Sequence, residues 1–134
     1  MRLRRENCDN GDCLRSHINQ TETEFAFSMI TKAGVSVNNV IVGMAQYGRT
    51  FKMTIPGCYG PNCKYAGPGS GATAGKCTGT SGYLSNFEIR EIIATDSSAQ
   101  QYSDDEGGNI LVYDGVHWVS WMSKELYDKR VEWV

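Results

Sequence analysis

The sequence predicts an α+β chain: a helix-then-strand unit of a parallel sheet or barrel, then an antiparallel stretch, then a closing helix. Three observations predict it. Phe25, Met29, Ile30 and Ala33 recur at helical spacing. Asn39–Ala45 is a β-branched run, apolar on both faces, as a strand covered on both sides reads. Two alternating runs, Asn109–Tyr113 and Val116–Trp121, flank Asp114-Gly115, a strong hairpin signal.

Composition narrows the class. The chain has 134 residues, the size of one domain, with 40% hydrophobic and 21% charged residues. That balance belongs to a folded chain rather than a disordered one. A net charge of −2 argues against a general phosphate-binding surface, so no nucleic-acid partner is expected. The longest apolar run, Val40–Ala45, is far short of the roughly 20 residues a membrane helix needs, so no membrane partner is expected. Met1–Glu6 is basic with no apolar core behind it, so no signal peptide is visible.

The elements follow in order. Cys8 and Cys13 flank Asn10-Gly11, whose turn preference makes a small disulfide loop reasonable. Asn19-Gln20-Thr21 is a candidate glycosylation acceptor at Asn19. Thr21 and Glu24 form a candidate capping box, and Gly34 ends the helix. Gln46–Met53 alternates, with Tyr47, Arg49, Phe51 and Met53 on one face. Residues 57–82 hold eight Gly, two Pro and three Cys, too long for a structureless loop and better read as stapled. Cys58–Cys63 is the first choice of bridge, with Cys77 free or partnered elsewhere, though spacing alone leaves the pairing open. Ser85 caps a short helix over residues 85–93 with Glu88 at its third position. Gln100–Ser103 reads as a strand, leading into the acidic turn Asp104–Gly108. Ser123 caps the last helix, whose apolar side is Leu126, Val131 and Val134.

A parallel strand needs partners on both edges, and no other segment here reads as one. Part of the sheet is therefore expected outside these residues, and Val40–Val42 alone is an apolar edge that invites aggregation. His17 and His117 have no partner spacing for a metal, the cysteines lack paired zinc spacing, and no cofactor is expected.

Several motifs in this order resemble the glycoside hydrolase family 18 chitinases, of the fungal type related to killer-toxin subunits. Cys13–His17 with Thr21–Glu24 resembles the segment entering the barrel helix before the seventh strand, and Met29–Val35 resembles that helix and its end. Val42–Phe51 resembles the seventh strand running into the family's inserted domain. Ala66–Gly69, Cys77–Ser85 with Glu88-Ile89, and Tyr113–Ser120 resemble the core and closing hairpin of that insertion. The resemblance implies a partial TIM (β/α)8 barrel, made of one helix, one parallel strand and a closing helix, with an inserted antiparallel α+β domain. Residues 1–47 would be a barrel segment (helix about 22–33, strand about 39–45), residues 48–121 the insertion, and 122–134 a barrel-type helix.

The same resemblance implies hydrolysis of β-1,4-linked N-acetylglucosamine polymers by a substrate-assisted, retaining mechanism. Chitin or a chitooligosaccharide would be the partner, and the remaining barrel segments the other. Tyr47 and Arg49 match the family's cleft-lining Tyr and Arg, and Glu88 matches a Glu bordering the cleft. The spaced acidic run that ends in the family's proton donor has no counterpart, so no catalytic residue is expected and the chain alone is expected to be inactive. Trp118, Trp121 and Trp133 read as packing residues. The resemblance places the protein outside the cell. The alternative is a non-catalytic chitin-binding or decoy module.

Overall fold

A computed structural model describes Cys8 and residues 11–67, 69–104 and 107–134. The Met1–Glu6 start, the Asp9-Asn10 part of the first turn, Pro68, and Asp105-Glu106 of the acidic turn lie outside the described residues. The elements are α1 (Gln20–Lys32), a 3-10 turn (Val37–Asn39), β1 (Tyr47–Lys52), β2 (Tyr83–Ser85), α2 (Asn86–Thr95), β3 (Gln100–Ser103), β4 (Asn109–Tyr113), β5 (His117–Trp121) and α3 (Lys124–Trp133). The strands form one sheet in the order β2-β1-β5-β4-β3, with every neighbouring pair antiparallel.

Alternation along each strand divides the core into two. Leu84, Ile89, Leu111, Tyr113, Val119 and Trp121 pack under α2. Leu14, Met53, Ile110, Val112 and Trp118 pack on the opposite face, with Phe51, Tyr65 and Tyr102 beside them. Leu14 reaches that face because the chain before α1 adds itself to the long loop: Leu14 N–H donates to Cys63 O at 2.8 Å, and Tyr65 N–H to Asp12 O at 2.9 Å. Two disulfides, Cys8–Cys13 and Cys58–Cys63, staple the two pieces, while Cys77 is free and exposed.

The antiparallel part follows the expected pattern, but four local expectations are corrected. Residues 39–45, expected as a parallel strand, make no ladder, and Ile41 is 97% exposed. The cause is the one that made the run apolar: both edges of such a strand need neighbours, and none exists among the described residues. The cap of α1 is Asn19 rather than Thr21, its side chain accepting from Glu22 N–H at 2.9 Å. The β4–β5 hairpin has a three-residue loop rather than two, because Tyr113 pairs with His117 and Val116 O instead receives Met53 N–H. Asp114 and Gly115 both take positive φ there, +49° and +70°. On α3 the buried residue is Arg130, whose Nη2 donates to Ile18 O at 2.8 Å and Gly107 O at 2.7 Å, whereas Val131 and Val134 are exposed. The apolar side of α1 is likewise uncovered, with Phe25 and Met29 more than half exposed.

Asn19 is only 8% exposed, its Oδ1 occupied by the helix cap. Passage through a eukaryotic secretory pathway is therefore expected to leave Asn19 without a glycan, which intact-mass measurement checks. Asn19→Ala should cost about 1 kcal/mol in urea unfolding, as lost caps do.

Candidate functional site

β1 carries Tyr47 and Arg49 two residues apart, so both side chains leave the sheet on the face away from α2. Register adds their neighbours. Tyr83 of β2 stands opposite Arg49 on one side and Ser120 of β5 on the other. Arg49 Nη1 donates to Tyr83 Oη at 2.9 Å, and the guanidinium carbon lies 4.8 Å from the centre of that ring. Tyr47 and Tyr83 tilt against each other with ring centres 5.9 Å apart. Below them, His17 stacks on Tyr47 at 5.3 Å and places Nδ1 2.9 Å from Ser120 Oγ.

The result is two adjoining phenol rings and a guanidinium presented at the surface, Tyr47 being 41% and Tyr83 37% exposed. Such a face offers apolar ring area together with N–H and O–H donors, which suits a neutral ligand rich in hydroxyls and amides. The His17 ring is held below the ordinary histidine pKa, first by burial and next by the charge of Arg49; the Tyr47 backbone opposes both.

Glu88 does not join this face. Its 5%-exposed carboxylate borders a hollow on the α2 side that Leu84, Tyr113 and His117 also line. There it closes a capping box with Ser85 and accepts from the backbone N–H groups of Cys77 and Thr78 at 2.7 and 3.1 Å. Sequence reasoning missed His17, Tyr83 and Ser120. For Tyr83 a usable signal existed, since it lies two residues before the capping Ser85 and so on the same strand face. His17 and Ser120 are joined only by the fold, being 103 residues apart. Among the described residues, no group of three or more His, Cys, Asp or Glu is placed to hold a metal, and no helix is long and apolar enough to cross a membrane.

No family model matches the chain. Among curated proteins it is 53% identical over 129 residues to the probable chitinase LysM18 of Penicillium expansum, a match covering 93% of this chain and 9% of that protein. It is 45% identical over 130 residues to the secreted chitinase LysM12 of the same organism, over 93% of this chain and 9% of the relative. To the killer toxin subunits alpha/beta of Kluyveromyces lactis it is 36% identical over 116 residues, or 86% of this chain and 10% of that one. Its fold matches the group IV chitinase of Ostrinia furnacalis with a TM-score of 0.73 at 26% identity, over 91% of this chain and 34% of that one. A GH18 chitinase from Cycas revoluta, solved with (GlcNAc)4, shares the fold with a TM-score of 0.67 at 18% identity, over 90% and 32%.

The five-stranded antiparallel sheet with its three helices is consistent with the insertion domain of glycoside hydrolase family 18 chitinases. The chain is a chitinase-like segment of that family, and it spans about a tenth of the length of the first curated relatives it matches.

Proposed function

We propose that this chain forms one wall of the sugar-binding cleft in a chitinase that cleaves β-1,4 links between N-acetylglucosamine units by the substrate-assisted, retaining route. The observation that supports this is the exposed Tyr47–Tyr83–Arg49 face. Its rings can lie against the apolar faces of a sugar, and its donors can meet hydroxyl and amide oxygens. The proton donor is supplied elsewhere in the longer protein, because Glu88 is across the sheet and already accepts five hydrogen bonds. Two disulfides and a relative named as secreted favour a place outside the cell.

A fluorogenic chitobioside incubated with the chain alone is expected to stay uncut; turnover above blank would remove the claim of an external acid. Titration with chitotetraose followed by NMR is expected to give weak binding, because the face is open on several sides. Tyr47→Ala should weaken it about tenfold, roughly 1.4 kcal/mol. Equal affinity in the variant would remove the cleft-wall assignment.

A further inference from the structure

We infer that His17 is the positioning residue of the sugar-binding face: a neutral brace beneath Tyr47 that turns into a repelling charge beside Arg49 when it takes a proton. This rests on the assignment of the Tyr47–Tyr83–Arg49 face as sugar-binding, and adds to it the group that sets its geometry and its dependence on pH.

Three contacts carry the inference. The imidazole lies nearly flat on Tyr47, with ring centres 5.3 Å apart and planes 22° apart, so it fixes the tilt of the phenol. Nδ1 is anchored at 2.9 Å from Ser120 Oγ on the central strand β5, so the brace is tied to the core rather than to a loop. Its own segment is also pinned. The residue after it, Ile18, is buried and gives its carbonyl to Arg130, and Leu14 three residues earlier is in the core. His17 therefore cannot move off Tyr47 without disturbing both anchors.

Charge then decides how the face responds to acid. Arg49 is the charged group on β1 that acts on the ring; Tyr47 and Tyr83 on β1 and β2 and Ser120 on β5 are neutral. A protonated His17 would set a second cation near a guanidinium that is already held by Tyr83. Arg49 would be pushed outward, Tyr47 would lose its flat neutral support, and the face would be remade. Because the ring's pKa lies below its ordinary value, the neutral brace persists through mildly acid pH and fails only on further acidification.

Two arms test this. Without ligand, the His17 ring is titrated by NMR in the wild-type chain and in Arg49→Gln. The pKa is expected to rise toward the ordinary value in the variant, and the Tyr47 ring signals are expected to shift with the same midpoint as His17 in the wild type. An unmoved pKa, or Tyr47 signals that ignore the midpoint, would overturn the inference whether or not sugar binds. With ligand, chitotetraose affinity is compared at two pH values, one well above and one well below the His17 midpoint found in the ligand-free arm. The wild type is expected to lose about fivefold, the size of one partly screened charge interaction. His17→Gln, which keeps a polar anchor for Ser120 but cannot charge, should bind equally at both. A His17→Gln chain that falls as steeply as wild type overturns the switch. A wild type that binds at neither pH overturns the sugar-binding assignment, and the ligand-free arm still decides the role of His17.

Discussion

Gly48→Ala is expected to destabilise the chain by about 3 kcal/mol, at the upper end of what overpacking costs. Gly48 lies on β1 between Tyr47 and Arg49 and points at the α2 side of the sheet. A methyl group there would stand 2.7 Å from Ile89 Cδ1 and 3.1 Å from Ser120 O, and closer still to Val119 Cγ2. Ile89 and Val119 are fully buried in the centre of that core, so neither can withdraw into free space. Helix α2 would have to lift from the sheet. A thermal midpoint lowered by about 10 °C is the expected reading for a chain of this size. An unchanged midpoint would show that Ile89 and Val119 can make room for a methyl group, and would overturn the tight packing of α2 on β1.

Glu88→Gln is expected to cost about 3 kcal/mol at neutral pH. One carboxylate oxygen accepts from Cys77 and Thr78 N–H, the other from Ser85 N–H and Oγ. An amide presents N–H to one of these sides and leaves its donors unmet, and each hydrogen bond to a charged group is worth roughly 1.5–3 kcal/mol. Burial raises the carboxyl pKa, but the backbone donors of Ser85, Cys77 and Thr78 and the Ser85 hydroxyl outweigh it and hold it down to about 2. The sign follows from linkage: the folded pKa lies below the unfolded one, so the stabilisation is whole above about pH 4.5 and drains away as pH falls toward 2. Urea unfolding of wild type and variant should therefore differ by about 3 kcal/mol at pH 7 and converge near pH 2. A gap of equal size at both pH values would contradict the charged clamp.

What the sequence made legible was whatever depends on neighbours along the chain. The Ser85–Glu88 capping box and the alternation that puts Tyr47, Arg49 and Phe51 on one face are local, and both are present; the Asp114-Gly115 hairpin forms too, with a loop one residue longer than that signal implies. The errors occur where partners distant in sequence decide. The Val40–Val42 run carries the apolarity of a doubly covered strand, yet the residues that would cover it are not among those described. The cap of α1 is a local exception: Asn19 is as favoured a capping residue as Thr21, and its side chain takes the Glu22 N–H. Glu88 shows the same limit within the site. Its type and position fit either a ligand contact or a cap, and only the loop over residues 75–78, folded back onto it, decides between them.

The pairing of β1 with β5 has a further consequence. The strand by which the chain enters the sheet and the strand by which it leaves run side by side, Arg49 beside Ser120 and Lys52 beside His117. Two neighbouring strands are under about 5 Å apart. A longer polypeptide carrying this unit would thus see its two attachment points almost touching, as narrow as a tight loop, and could gain or lose the whole unit with little entropic penalty to itself. Chain continuing from either strand therefore starts from the same spot on the sheet, so the β1–β5 pairing sets where any longer polypeptide meets it.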